Sequence, residues 1–285
     1  MPTTWFSETL HQHVRQGLAV RRTIARQKTA FQQLHIVDTP AYGRTLVLDG
    51  IVQTTEGDEY IYHEMMTHVP IIAHPKPERI LVIGGGDGGI AREALRHPTV
   101  KRIVMVEIDP DVISMCKRHL PKICGQAFDD PRLEIVVDDG ATYVRTTDER
   151  FDVAIIDSPD PIGPAIVLFV TAFYRNVARV LRRPGIMVRQ CGSTFLQPRE
   201  IAEATQRLRR VFKHVVPYVA AIPTYIGGFF GLLLASNEIQ PLRARPAQLE
   251  ARYRRARLAC RYYTPAIHQA CFALPGYVKA LLKGV

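Results

Sequence analysis

The sequence predicts an α/β fold: a doubly wound, mostly parallel sheet preceded by a small N-terminal antiparallel β domain. Three observations lead there. Apolar runs recur near 79–84, 102–108, 132–138, 151–157 and 185–190 with helix-like stretches between them, and alternation at this spacing marks βαβ units. The first of these runs opens into Gly84-Gly85-Gly86-Asp87-Gly88-Gly89 and then a helix-like stretch, a strand–turn–helix loop that lets a nucleotide-like ligand approach the backbone. Before residue 60 the pattern differs, with short β-prone runs broken by turn residues, as in an antiparallel sheet.

The β-prone runs are Leu18-Ala19-Val20, 33–37, 45–48 and Ile51-Val52-Gln53, punctuated by Asp38-Thr39-Pro40, Tyr42-Gly43 and Asp49-Gly50. A helix is predicted over 59–68, where Ile61, Met65 and Val69 recur at i, i+4 and i+8. The division is therefore placed at residue 58: an N-terminal β-strand domain over 1–58 and a Rossmann-like catalytic domain over 59–285. At the far end, 214–224 and 229–235 read as a closing antiparallel pair.

Composition narrows the function classes. The 285 residues are 47% hydrophobic, enough for a substantial core. No run of eighteen or more apolar residues occurs, so no transmembrane span is expected, and the first residues lack the pattern of a secretory signal. Five cysteines without CxxC spacing are expected to be small buried residues of a reducing, cytoplasmic compartment rather than metal ligands. The net charge of +10 gathers in 207–210 and 243–261. At helical spacing, and without any nucleic-acid-binding signature, these basic stretches read as solvated faces. No specific nucleic acid and no membrane partner is expected.

The chemistry is concentrated at strand ends. About twenty residues after Asp87 a second strand ends in Val106-Glu107-Ile108-Asp109, and an acid there accepts hydrogen bonds from ribose hydroxyls. A third strand ends in Val137-Asp138-Asp139-Gly140. Asp139 there suits the exocyclic amine of adenine, or alternatively caps the next helix. Glycine loop, Glu107 and Asp139 together indicate adenosine, without separating a dinucleotide from S-adenosylmethionine and its relatives.

Asp87 separates them. Like charges ~4 Å apart at an effective dielectric of ~20 repel by on the order of 4 kcal/mol. A carboxylate in the glycine loop therefore disfavours a pyrophosphate and the carboxylate of intact S-adenosylmethionine, and it favours an amine in that place. That ligand is decarboxylated S-adenosylmethionine, an aminopropyl donor. At the tip of a further strand, Asp157-Ser158-Pro159-Asp160 supplies two more acids where open α/β sheets bind ligands.

These segments, continuing as Asp160-Pro161-Ile162-Gly163-Pro164-Ala165, resemble the polyamine aminopropyltransferase family, its spermidine synthase branch of the bacterial type. Leu48-Asp49-Gly50-Ile51-Val52-Gln53, Tyr60-Ile61-Tyr62-His63-Glu64-Met65, Ala221-Ile222-Pro223-Thr224-Tyr225 and Arg261-Tyr262-Tyr263-Thr264-Pro265 extend the similarity over nearly the whole chain. The resemblance implies a methyltransferase-like catalytic domain and transfer of the aminopropyl group of decarboxylated S-adenosylmethionine to putrescine, giving spermidine and 5′-methylthioadenosine. It implies no cofactor, the donor being a co-substrate, no metal, and a homodimer or homotetramer. By the same resemblance Gln32, Glu107, Asp139, Gly140 and Pro164 contact the nucleoside, and the donor's amine lies near Asp87 and His63. Tyr62, Asp157, Asp160 and Tyr225 hold the acceptor, while Gln53 and Gln190 line the site.

Asp157 is the expected general base, drawn toward neutrality by burial and a neighbouring carboxylate. The acceptor's far end is expected near Tyr62 and the segment 56–64. Three departures from the family pattern bear on acceptor choice: Pro159 between the two acids, Ile166-Val167 after Pro164-Ala165, and Gly57 beside Glu56. Two competing readings are methyl transfer to a small amine and non-catalytic polyamine binding.

Overall fold

The computed structural model describes residues 4–158 and 163–285, with the backbone alone at 163–165. Two small antiparallel sheets come first. One pairs β1 (Thr4–Glu8) with β2 (Gln16–Val20); the other is a four-stranded meander of β3 (Arg22–Lys28), β4 (Gln33–Thr39), β5 (Gly43–Leu48) and β6 (Ile51–Thr55). The sequence reading expected one small sheet here and did not anticipate β1 or β3. β3 is Arg-Thr-Ile-Ala-Arg-Gln-Lys and mostly exposed, a charged edge strand whose composition hides its conformation.

Helix α1 (Glu59–Ala73) follows and runs one turn past its predicted end, through Pro70. Pro70 removes one backbone donor from the helix. Packing carries the helix through, because every residue except Tyr60 is buried. Tyr60 stacks under the Arg261 guanidinium at 3.6 Å. Glu64, one turn into α1, accepts hydrogen bonds of 2.7 Å from each of the backbone amides of Arg261, Tyr262 and Tyr263, fixing the C-terminal segment to the helix.

The βαβ region then runs β7 (Arg79–Gly84), α2 (Gly89–Leu95), β8 (Arg102–Glu107), α3 (Pro110–His119), α4 (Pro121–Cys124), β9 (Leu133–Val137), α5 (Gly140–Thr146), β10 (Phe151–Asp157), α6 (Thr171–Val180) and β11 (Leu181–Ser193). After α7 (Pro198–Arg209) the antiparallel pair β12 (His214–Ala221) and β13 (Phe229–Ser236) closes the sheet, and α8 (Pro246–Ala256), α9 (Pro265–Ala270) and α10 (Gly276–Leu281) complete the chain. The sheet order is β12-β13-β11-β10-β7-β8-β9, with the five strands from β11 to β9 parallel. This is the expected doubly wound, mostly parallel sheet.

The strands read as continuous apolar runs because both faces are covered. Ile80, Val82, Val153 and Ile155 pack on the α1 side, while Leu81, Ile83, Ala154 and Ile156 pack on the other. From β7 the chain winds outward to β8 and β9, then returns to β10 on β7's other flank. The topological switch point thus lies between β7 and β10, where a crevice opens beyond the strand ends. In that register Asp157 sits directly opposite Gly84. No helix among the described residues is long and apolar enough to cross a membrane.

Candidate active site

The crevice holds a cavity of about 290 Å³, walled by the β7–α2 loop, the ends of β8 and β10, α1 and the N-terminal strands. Glycine is required where elements approach most closely. A Cβ on Gly84, whose φ is +81°, would fall 2.0 Å from the Asp157 carbonyl oxygen, and one on Gly89 would fall 2.2 Å from the His63 ring. The loop is therefore built to admit the Asp157 backbone and the His63 ring at close range.

Glu107, at the end of β8, is buried and accepts a hydrogen bond from the Asp109 amide at 3.0 Å. Burial pushes its carboxyl up to about 7. Asp109 fastens the N-terminal sheet to this wall, its Oδ2 accepting from Thr29 Oγ1 at 2.7 Å and from Gln32 Nε2 at 2.8 Å. Gln32 thereby reaches the cavity lining. Asp139 caps α5, its oxygens accepting from the amides of Ala141 and Thr142 and from Thr142 Oγ1 at 3.0–3.2 Å. The capping alternative raised from the sequence is thus realised, and Asp139 and Gly140 also line the cavity.

The polar centre lies where α1 meets the glycine loop. Tyr62 Oη donates to Asp157 Oδ1 at 2.6 Å. The Tyr62 ring meets Tyr225 edge-on at 5.7 Å and Phe230 at 5.9 Å. His63 is buried between two carboxylates, its Nδ1 2.5 Å from Glu59 Oε2 and its Nε2 3.2 Å from Asp87 Oδ2. Burial opposes a charge on the ring, yet the carboxylates of Asp87 and Glu59 raise it to about 10, so His63 is an imidazolium at neutral pH. Burial likewise opposes ionisation of Asp87, but the His63 charge holds its carboxyl below the ordinary range. Asp87 Oδ1 accepts from the Gly89 amide at 2.8 Å.

Asp157 behaves differently. Burial, with the Asp87 charge beside it, pushes its carboxyl up to about 6, against the pull of His63 and of the Tyr62 hydrogen bond. One donor atom each from His63, Asp87 and Asp157 lies within 4.8 Å of the others. Both ring nitrogens of His63 face carboxylates.

Among the remaining site residues expected from the sequence, Gln190 donates to the Ser158 carbonyl at 3.0 Å and accepts from the Gly192 amide at 2.7 Å. Tyr225 Oη donates to the Gln53 carbonyl. Gln53, Gln190 and Tyr225 all line the cavity. Asp160 lies outside the described residues, as does the side chain of Pro164. Ile166 and Val167 are exposed.

One expectation changes. The charge on Asp87 does not stand alone, because His63 compensates it, so the isolated-charge argument overstates its repulsion of a carboxylate. Of the segment 56–64, where the acceptor's far end is expected, Tyr62 and His63 line the cavity, while its acids Glu56 and Glu64 are engaged elsewhere. Glu56 accepts from the Arg44 amide and Glu64 clasps 261–263. Two acids of the N-terminal region also line the cavity: Asp49, and Glu8 of β1, which accepts from the Val52 amide at 2.7 Å. No local pattern in Thr4-Trp5-Phe6-Ser7-Glu8 signals this role, since the sheet alone brings Glu8 there.

The five cysteines are unpaired, and Cys116, Cys124, Cys191 and Cys271 are buried. Part of the basic excess is structural: Arg252 donates to the carbonyls of Ile72 and Ala73, and Arg207 and Arg254 pair with Glu203 and Glu250.

Comparison with known proteins agrees with this architecture. Residues 59–244 match the family model of the spermine/spermidine synthase domain, and residues 4–56 match that of the spermidine synthase tetramerisation domain. The chain is 47% identical over 277 residues to a polyamine aminopropyltransferase of Ruegeria sp. (strain TM1040), covering 97% of this chain and 98% of that one. It is 48% identical over 274 residues to the polyamine aminopropyltransferase of Serratia proteamaculans (strain 568), covering 96% and 95%. A crystal structure of spermidine synthase in complex with the transition-state analogue AdoDATO superposes with a TM-score of 0.93 at 36% identity, covering 98% of this chain and 94% of that one. That of spermidine synthase from Thermotoga maritima gives 0.90 at 34% identity, with the same coverage. The chain belongs to the spermine/spermidine synthase family and is a polyamine aminopropyltransferase.

Proposed function

We propose that the protein is a spermidine synthase that transfers the aminopropyl group of decarboxylated S-adenosylmethionine to putrescine. The observation that carries this reading is the charge pattern at the switch point. Arg92, Glu59, His63 and Asp87 form an alternating array that closes to neutrality, and Asp157 is the carboxylate left beside it. Glu107 and Glu8 are further buried acids of the same cavity, and a site with surplus buried acid favours cationic amines over a carboxylate or a pyrophosphate.

In this reading adenosine lies along Gln32, Glu107, Asp139 and Gly140, with the donor's amine toward Asp87. The acceptor nitrogen attacks the propyl carbon attached to the sulfonium. The new C–N bond takes the nitrogen lone pair, the C–S bond breaks, and sulfur keeps its electrons as 5′-methylthioadenosine leaves. The displaced ammonium proton passes to Asp157, whose raised carboxyl, about 6, makes it a better acceptor than an ordinary aspartate. Alignment of nitrogen, carbon and sulfur supplies a further share of the rate. Tyr62, Tyr225 and Asp160 orient the acceptor, and its far amine is directed toward Glu8. No cofactor is invoked. The tetramerisation-domain match supports a homodimer or homotetramer built through the N-terminal sheets, and five unpaired cysteines suit a cytoplasmic enzyme.

The test is a mass-spectrometric product assay with decarboxylated S-adenosylmethionine and, separately, putrescine, cadaverine, agmatine and spermidine. Putrescine is expected to give the highest kcat/KM. A higher value for cadaverine or agmatine refutes the acceptor assignment, and absence of 5′-methylthioadenosine with all four refutes the reaction.

A further inference from the structure

The charged groups behind His63 have no place in the reaction as described so far, yet they are buried and ordered in a row. Glu59 stands in the first turn of α1, one turn before His63, where a carboxylate is favoured by the helix dipole. Arg92, on α2, grips it with both terminal nitrogens, Nη1 to Oε1 at 3.1 Å and Nη2 to Oε2 at 2.9 Å. The rest of the guanidinium is also engaged. Nε donates to Glu93 Oε1 at 3.0 Å, and Nη1 donates to the carbonyls of Lys122 at 3.2 Å and Ile123 at 2.5 Å. A bidentate arginine fixes a carboxylate in orientation as well as position. The row continues from Glu59 through His63 to Asp87.

We propose that Glu59 and Arg92 are positioning residues for aminopropyl transfer: Arg92 fixes Glu59, Glu59 holds the His63 ring as a charged double donor, and that ring fixes the Asp87 carboxylate that receives the donor's amine. The inference deepens the spermidine synthase reading and rests on it. Without Glu59, His63 would keep Asp87 as its one hydrogen-bonded carboxylate partner, and the loss of its proton would turn the charge-assisted bond to Asp87 Oδ2 into a weaker neutral one, and into none in the tautomer protonated on Nδ1. The charged and titratable groups facing this row are Glu59, Tyr62 and His63 on α1, Asp87 in the glycine loop, Arg92 and Glu93 on α2, Cys116 and Cys124 on α3 and α4, and Asp157 on β10. In this set Asp87 and Glu59 support the imidazolium and burial opposes it.

The experiment follows the histidine ring signals by NMR between about pH 6 and pH 9, a window that brackets the ordinary histidine value. The His63 signal is identified from its loss in His63→Gln. In the wild-type protein it is expected to stay at its doubly protonated position across the window. In Glu59→Gln its proton affinity is expected to fall at least about tenfold, roughly one unit, bringing a titration into view. In Arg92→Lys, which keeps the charge but loses the fork, a smaller fall is expected. Both variants are expected to raise KM for decarboxylated S-adenosylmethionine about tenfold and to leave KM for the amine within about twofold, a split that general loosening of the fold does not produce. A wild-type His63 that titrates near its ordinary value overturns the proposal, as does Glu59→Gln with an unchanged signal and an unchanged donor KM. Should Glu59→Gln fail to fold, the wild-type titration and Arg92→Lys decide. The titration needs no turnover, so failure of the reaction assignment and failure of this inference give different results.

Discussion

Tyr62→Phe isolates one hydrogen bond and its effect on a proton. Tyr62 Oη donates to Asp157 Oδ1 at 2.6 Å, while the ring packs edge-on against Tyr225 and Phe230. Phenylalanine keeps those ring contacts and removes the donor. A hydrogen bond to a charged group contributes about 1.5–3 kcal/mol, and ~1.4 kcal/mol corresponds to one pKa unit. The hydroxyl also bonds the protonated acid, more weakly, so the difference between the two forms lies near the lower end, about one unit. Asp157 stands at about 6 with burial raising it and the Tyr62 bond pulling it down. Removing that bond therefore moves it further up. The base is the ionised form, so activity falls as pH falls through this value. The acidic limb of kcat is expected to shift upward by about one unit in Tyr62→Phe. The assay is 5′-methylthioadenosine release, followed by mass spectrometry from about pH 5 to pH 9 at saturating substrates. A limb that stays within about 0.3 units of wild type, or moves downward, refutes the coupling between Tyr62 and Asp157.

Asp157→Asn is expected to leave the fold intact, by circular dichroism, and to lower kcat by about 10²–10⁴-fold; a kcat within about threefold of wild type would remove Asp157 from the role of base. Asp87→Asn takes away the carboxylate beside His63 and should narrow the preference for decarboxylated over intact S-adenosylmethionine, with an unchanged affinity ratio in calorimetric titration counting against it. Because His63 partly compensates Asp87, the change should be well below the ~4 kcal/mol of an isolated pair. Glu64→Ala leaves three backbone amides without their carboxylate and is expected to destabilise by ~3–5 kcal/mol, read from the urea midpoint. For pH and stability the signs agree, since each of the two groups binds its proton more tightly in the folded state. The His63 contribution is present below its unfolded value of 6.5 and is lost as pH rises through about 10. Asp157, raised to about 6, likewise lowers stability as pH rises through the lower range between its unfolded and folded values.

The parallel half of the fold was legible because its strands are continuous apolar runs ending in Gly84, Glu107 and Asp157, and those ends are the site. The N-terminal half was less so. β3 carries Arg22, Arg26 and Lys28 on an exposed edge, so propensity gave no signal. α1 outran its predicted end because burial on all sides, invisible in a short window, offsets the cost of Pro70. The glycine loop and its carboxylate could be read because their spacing is local. Arg92 and Glu59 stand 33 residues apart, and Glu8 reaches the cavity from the first strand. Neither pairing has a local signature, and so the compensation of Asp87 could not be foreseen.

The wall of the cavity comes from two sources, and this has a consequence for how such an enzyme can diverge. Asp87 and Asp157 are set at the switch point of the parallel sheet, in register with the glycine loop, whereas Glu8, Gln32 and Gln53 come from the antiparallel strands. If the acceptor's far amine lies at Glu8, as proposed, a substitution there would alter what that end accepts while leaving the strand register that holds Asp157 in place. On that reading acceptor length and bond-making chemistry would be separately mutable, because they rest on different sheets.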